Sequence, residues 1–440
     1  MDAHARRLSP VVLSVAALVG GLVGGLVACD RSEGPGTGAA VPATPESIAD
    51  RTGLSVSVVR RASRSSPIPE VPADPTNRVA DDPLAAEFGR TLFFDEGLSG
   101  NGAVSCATCH RPELHFTDGL QRSKGIGTSA RHAPTLVDAA HQRWFNWDGR
   151  SDSMWAHAIR PIEHPDEMGG DRTAVARHVL GDPGRRQAYE RIFGAVGLDP
   201  DALPERARPE GDPEARDAWE SLDDATRFGI DEIAANVGKA MAAYQRTLSG
   251  GPSRFDEWVA AVRTGGDGAG LLTDSERRGL ELFFGEAECW ECHAGPLLSD
   301  GEFHNIGTPV PDGLPRDPGR YDGADLVVRD RFNAAGRYSD DPEGSQAIVS
   351  RGVRRDPLQW GAFRTPSLRN VARTPPYMHD GSMPDLESVV RFYSTLEGAV
   401  QLDHHQETVL SPLDLDDREL ADLVAFLGTL DGDARFGNDR

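Results

Sequence analysis

Apolar residues recur at helical spacing in four stretches of the chain. Leu84, Phe88 and Leu92 share one face of a segment that precedes a pair of cysteines, and Leu280, Phe283 and Phe284 do the same before a second pair. Between Ile230 and Leu248 the side chains of Ile233, Val237, Met241 and Tyr244 line one side; between Asp417 and Leu430 those of Leu420, Leu423, Val424 and Leu427 do. These spacings predict four amphipathic helices. No run alternates apolar and polar residues as a half-buried strand does, and the connections are long and rich in Gly, Pro and Asp. The pattern therefore predicts a mainly α fold with long irregular loops.

The amino terminus follows another rule. Arg6 and Arg7 precede an apolar stretch from Val11 to Val27 that is broken by Gly20, Gly21, Gly24 and Gly25, too short and glycine-rich for a stable membrane span. It reads as a signal peptide over residues 1–28. The stretch ends Leu26-Val27-Ala28-Cys29, which resembles the lipobox of bacterial lipoproteins and makes Cys29 the candidate lipidation site, so the mature protein is expected to be periplasmic and lipid-anchored. Residues 29–80 are rich in Gly, Pro, Ser, Ala and Thr and predict a flexible linker, with Leu54 to Val59 as a short element within it. Two domains are expected beyond it, 81–250 and 251–440.

With 440 residues, 38% of them hydrophobic, the chain can bury a core of that size. Its net charge of −23 leaves no basic footprint for nucleic acid and favours a basic protein partner.

Apart from Cys29, the cysteines fall into two copies of one pattern: Cys106-Ala107-Thr108-Cys109-His110 and Cys289-Trp290-Glu291-Cys292-His293. Cys-x-x-Cys-His is the attachment signature of c-type haem, in which two thiols add to the porphyrin vinyls and the adjacent histidine ligates iron. A zinc site wants four ligands together, and a redox dithiol needs no trailing histidine. Two haem c groups are therefore expected. Around the two motifs the chain repeats weakly. Gly89-Arg90-Thr91-Leu92-Phe93-Phe94 and Gly279-Leu280-Glu281-Leu282-Phe283-Phe284 precede them, and Asp118-Gly119 and Asp300-Gly301 follow.

This organisation resembles the bacterial dihaem cytochrome c peroxidase and MauG family over roughly residues 80–432. The likeness is carried by Leu92-Phe93-Phe94-Asp95, Trp147-Asp148-Gly149-Arg150, Pro165-Asp166-Glu167-Met168-Gly169, Tyr244-Gln245-Arg246-Thr247-Leu248, Phe363-Arg364-Thr365-Pro366-Ser367-Leu368-Arg369-Asn370-Val371 and Pro376-Tyr377-Met378-His379-Asp380-Gly381. It implies two cytochrome c-like haem lobes with the active site between them.

The resemblance makes the His110 haem the peroxidatic one, with Glu167 as the distal acid–base group and Pro161 crowding the same pocket. His157 stands where the family has glutamine, where its imidazole would supplement the acid–base function or ligate iron. Many of the peroxidases cap the peroxidatic iron with a histidine that corresponds here to Ile126, which cannot ligate. His115 and His132 lie near enough in sequence to substitute, though surface or structural roles suit both. Trp147 matches the tryptophan between the haems that carries electrons or a hole. For the His293 haem the sixth ligand corresponds to Tyr393, as in the oxidase, with Met378 or Met383 as the alternative. Thr374 and Pro376 correspond to carbonyl ligands of a calcium ion, whose asparagine ligand is here His132; the acidic stretch Asp312 to Asp341 is another calcium candidate or a solvated insertion.

Three functions follow from the resemblance. The first is an exported peroxidase that reduces hydrogen peroxide with electrons from a cytochrome c or cupredoxin. The second is a MauG-like oxidase of Tyr or Trp residues in a partner protein, and the third a dihaem electron carrier or redox sensor. A homodimer is compatible with all three.

Overall fold

The computed structural model describes residues 43–311, 313–400 and 410–436. Its first helices are α1 (Pro45–Thr52), α2 (Val56–Arg64), α3 (Pro83–Phe93), α4 (Cys106–Cys109), α5 (Met154–Glu163), α6 (Arg172–Gly181), α7 (Pro183–Phe193), α8 (Pro213–Ser221) and α9 (Asp224–Gln245). They are followed by α10 (Arg254–Arg263), α11 (Asp274–Phe284), α12 (Arg320–Arg329), α13 (Ser345–Gly352), α14 (Leu386–Thr395) and α15 (Asp417–Leu427). Among the described residues, four two-residue strands form two antiparallel pairs. β1 (Leu248–Ser249) joins β4 (Arg435–Phe436), and β2 (Phe303–His304) joins β3 (Phe363–Arg364) with Phe303 opposite Arg364. The mainly helical fold expected from the spacing is present.

One glycine in each half of the chain decides how the principal helices meet. α3 starts where the Asp82 carboxylate accepts the Leu84 amide and Pro83 fills a first-turn position that needs no amide partner. Its buried face crosses α9 so closely that a Cβ on Gly89 would lie 1.9 Å from the Ala240 carbonyl oxygen. α11 starts with a capping box between Thr273 and Glu276. A Cβ on Gly279 would likewise lie 1.9 Å from the Asp422 carbonyl oxygen of α15. The two glycines open the two copies of the sequence repeat, so the repeat encodes two equivalent helix crossings.

Each crossing seeds a core. Phe88, Leu92, Val175, Val179, Ile230, Ile233, Val237 and Met241 gather from α3, α6 and α9. Phe255, Trp258, Leu280, Phe283, Phe284, Leu423 and Phe426 gather from α10, α11 and α15. α9 begins earlier than the apolar spacing indicates, because Asp223 caps it by accepting from the Thr226 amide, and α15 passes at Gly428 into a tighter turn.

Two stretches are more ordered than their composition suggests. Within 43–80, read as part of a flexible linker, α1 and α2 pack onto the second core. Ile48, Leu54, Val58 and Val59 are each at most 4% exposed, and a fully buried aliphatic side chain of this kind is worth about 1.5–3 kcal/mol. Arg61 fixes α2 further by donating to the Phe284 carbonyl at 2.7 Å and lying 3.7 Å over the Trp290 ring. The stretch 312–341, read as a solvated insertion, holds α12, whose Ala324 and Val327 pack on Trp144, while Phe332 and Tyr338 pack with Phe145 and Trp155. Residues beyond 250 thus complete the packing of residues before it. The signal peptide and Cys29 lie outside the described residues. No helix among the described residues is long and apolar enough to cross a membrane.

Candidate functional site

The two cysteine motifs share one local geometry. Cys106 and Cys109 occupy the short helix α4, whose first turn is held by the Ser105 amide donating to Thr108 Oγ1 at 3.0 Å. His110 donates its amide to the Cys106 carbonyl at 2.9 Å, and its Nδ1 bonds the Phe116 carbonyl at 2.9 Å. In the second motif His293 donates its amide to the Cys289 carbonyl at 2.9 Å, and its Nδ1 bonds the Leu298 carbonyl at 2.8 Å. With Nδ1 donating, each imidazole keeps its Nε2 lone pair free for a metal.

The carbonyls that do this pinning belong to residues in the left-handed region. Phe116 has φ 58° and Leu298 φ 52°, and both side chains are fully buried. Large apolar side chains seldom adopt this conformation, and they hold it here because the core grips them. Sequence reading misses these residues: a backbone acceptor leaves no side-chain signature.

All four thiols are free. Burial pushes Cys106 up to about 12, with Cys109 and Glu167 adding to the effect. Burial, Asp118 and Glu167 push Cys109 to about 12 as well, and burial does the same for Cys289. Two pairs of free thiols, each followed by an imidazole with one nitrogen engaged and the other open, fit covalent haem.

Glu167 sits on the turn after α5, where the Pro161 carbonyl accepts the Met168 amide at 3.1 Å. Its charge reaches Cys106, Cys109 and His110, so Glu167 stands beside the first motif. The loop carrying Ile126 packs directly on this turn: Ile126 donates its amide to the Glu167 carbonyl at 2.8 Å and Gly127 to the Asp166 carbonyl at 3.0 Å. His157 is buried on α5, with Nδ1 3.2 Å from Asn146 Oδ1 and its ring stacked on Phe145. Burial, the charge of His110 and the guanidinium groups of Arg150, Arg160 and Arg364 draw its pKa down to about 3. His157 is therefore a buried, neutral imidazole at ordinary pH.

Trp147 joins the two halves of the chain. Its Nε1 donates to the His132 carbonyl at 2.9 Å, and its own carbonyl accepts the Arg364 amide at 2.7 Å. The next residue, Asp148, is buried between Arg131 at 2.6 Å and Arg150 at 3.0 Å. Burial opposes its ionisation, but Arg150 and Arg131 overcome it and hold the carboxyl down at about 2.

Tyr393 lies on α14. Burial raises its phenol well above the ordinary range, and the charges of Cys289 and Cys292 add to the rise, which puts its hydroxyl beside the second motif. Met383 is buried and exchanges backbone bonds with Tyr377, while Met378 is half-buried at φ 70°. His115 lies edge-on to Phe436. His132 is pinned by its Nδ1 to the Leu120 carbonyl at 2.8 Å and by its amide to the His379 carbonyl at 2.9 Å. An imidazole side chain at that position offers calcium no oxygen, which leaves the backbone carbonyls of Thr374 and Pro376 as the oxygens of that set. Cys292, Asp300 and His304 also cluster, His304 Nε2 lying 2.8 Å from Asp300 Oδ2; they border the second motif.

Free thiol pairs with pinned histidines define a protein built to carry two covalent haems. The di-haem cytochrome c peroxidase model matches residues 83–264. The chain is 30% identical to the methylamine utilization protein MauG of Methylorubrum extorquens over 96% of its own length and 94% of that protein's. It is 32% identical to the cytochrome-c peroxidase IdrP1 of Denitromonas iodatirespirans, covering 83% of this chain and 85% of that one. Its fold is similar to that of the diheme peroxidase BthA of Burkholderia thailandensis, with a TM-score of 0.60 at 24% identity over 81% of this chain and 88% of that one. The chain belongs to the di-haem cytochrome c peroxidase family, and it is an oxidoreductase of the kind that carries two haem c groups.

Proposed function

We propose that this chain is an exported di-haem peroxidase that reduces hydrogen peroxide to water with electrons from a small redox protein. The observation that carries the reading is Glu167, whose charge reaches Cys106, Cys109 and His110 from a turn braced by the Ile126 loop. Haem held by Cys106, Cys109 and His110 would supply the iron at which the O–O bond breaks. Each peroxide takes up two electrons and two protons and leaves as two waters; Glu167 moves a proton from one peroxide oxygen to the other. Pro161 narrows the same pocket, and His157, neutral and held by Asn146, orients groups within it by hydrogen bonding.

Cys289, Cys292 and His293 hold the haem that receives electrons, and Trp147, bonded to both halves of the chain, lies on the route inward. The leader and Cys29 place the enzyme on a lipid anchor outside the cytoplasm, and the net charge of −23 suits a basic donor.

A second reading rests on Ile126 and Tyr393. With no histidine at the capping position and a phenol beside the second motif, the chain suits a MauG-like oxidase that directs oxidising equivalents at Tyr or Trp of a partner protein. A phenolate is a hard anion that favours high iron oxidation states. The deciding experiment is peroxide-dependent oxidation of a reduced cytochrome c by the holoprotein. Sustained turnover that Glu167→Gln abolishes supports the peroxidase, and negligible turnover despite a fast reaction with peroxide supports the oxidase. A ferric spectrum with no high-spin haem would revive the electron carrier, and reaction with peroxide only after one-electron reduction would separate a capped peroxidase from it.

A further inference from the structure

A buried guanidinium with nothing anionic beside it marks a place where an anion belongs. Four arginines are buried among the described residues: Arg172, Arg320, Arg364 and Arg369. Arg172 meets Glu163 at 2.6 Å and Asp231 at 2.7 Å, and Arg369 meets Asp256 at 2.6 Å. Arg320 donates to the Gly149 carbonyl at 2.7 Å and lies 4.4 Å and 4.2 Å over the rings of Trp144 and Phe303. Arg364 has neither a carboxylate nor an aromatic ring against it. Its Nη1 donates to the Thr365 carbonyl at 3.1 Å, its buried Nε has no partner, and burial with no opposing carboxylate draws its pKa to about 10. An uncompensated buried ion costs several kcal/mol, so a chain that keeps one is completed by a counter-ion from elsewhere.

The position of Arg364 says where that counter-ion comes from. Its amide bonds the Trp147 carbonyl, and the Thr365 carbonyl it donates to also accepts the Ser299 hydroxyl at 2.7 Å, on the loop that follows His293. On the other side its charge reaches His157, which in turn feels His110. Arg364 therefore stands between the two haem-attachment motifs.

We propose that Arg364 is the counter-ion of a haem propionate, completing its own charge balance only when haem is attached. The inference rests on the di-haem reading. The geometry favours the His110 haem, and the chemistry is the same for either. A cation beside a haem carboxylate favours the ferrous state over the ferric, so removing it lowers the reduction potential of the haem it serves.

The test uses the holoprotein, with two haems per chain verified by mass and pyridine haemochrome. Failure of that haem count would break the di-haem reading itself, independently of Arg364. Spectroelectrochemistry then compares wild type, Arg364→Met and Arg364→Lys. The expected result is a fall in the potential of one haem in the methionine variant, the high-spin haem first, with the lysine variant staying near wild type. A fall confined to the low-spin haem also supports the counter-ion and assigns it to the His293 haem. Potentials unchanged at both haems in fully loaded Arg364→Met overturn it. Should the methionine variant not fold, the lysine variant decides through its propionate bending band in resonance Raman. A shifted band at near-native potential supports the proposal, and an unmoved band overturns it.

Discussion

The backbone amide of Ile126 donates to the carbonyl of Glu167 over 2.8 Å, tying the position that the resemblance matches to an iron-capping histidine to the carboxylate proposed as the acid–base group. The isoleucine side chain is 44% exposed and has no atom that ligates iron. The diferric holoprotein is therefore expected to react with one equivalent of hydrogen peroxide without prior reduction, seen as a rapid Soret change in stopped flow. Ile126→His should make that reaction wait for one electron, and Glu167→Gln should slow it by about 10²–10⁴-fold, the usual worth of a positioned acid–base group. A wild-type protein inert until reduced would refute this account of the pocket.

Tyr393 predicts a separable effect. Its phenol lies beside Cys289 and Cys292, so Tyr393→Met should change the ligand field of the second haem and raise its potential, because a thioether favours Fe(II). The first haem should stay high-spin. Electron paramagnetic resonance combined with a potentiometric titration reads both; identical spectra in variant and wild type would remove Tyr393 from the ligand set.

Asp148 makes the fold acid-sensitive. Arg150 and Arg131 hold its carboxyl at about 2, well below the ordinary 3.8 of an aspartate. Its folded pKa is thus below its unfolded one, so its contribution is complete above about pH 4 and is lost as pH falls toward about 2, an effect of about 2–3 kcal/mol. Asp148→Asn should flatten the stability profile in that window. It should also cost about 3 kcal/mol at neutral pH by leaving the Arg150 guanidinium short of an anion, while Arg131 keeps its pair with Asp317 at 2.7 Å. Denaturant unfolding from pH 2 to 7 checks both.

The glycine crossings predict matched lesions. Gly89→Ala drives a methyl into the Ala240 carbonyl, and Gly279→Ala drives one into that of Asp422. Each should destabilise by at least the 1–3 kcal/mol typical of overpacking, about equally, since both contacts are with backbone that cannot step aside. Calorimetry showing one variant at wild-type stability would mean that its helix pair can slide apart.

Much of this was legible in the sequence because it is local. The apolar spacing of α3, α9, α11 and α15 and the two cysteine motifs lie within short windows. What stayed hidden depends on distant partners. Residues 43–66 look like linker by average composition, yet a few apolar side chains, Ile48, Val58 and Val59 among them, find Phe255 and Phe284 some two hundred positions away. Tyr338 reads as part of an acidic loop until Phe332 and Phe228 surround it. Arg364 sits inside a recognisable motif, but that it lacks a carboxylate is visible only once every neighbour has been placed. The low pKa of His157 was hidden for the same reason, since burial, the charge of His110 and three arginines set it.

The left-handed carbonyls of Phe116 and Leu298 have an evolutionary consequence. Each orients the imidazole of a Cys-x-x-Cys-His motif through the main chain. No exchange of side chain can delete that acceptor while the core holds the backbone in place, and packing is far more permissive of drift than a specific hydrogen-bonding residue would be. The orientation of both imidazoles is thereby insulated from side-chain mutation, and selection remains free to vary side chains elsewhere around the two motifs, Ile126, His157 and Tyr393 among them.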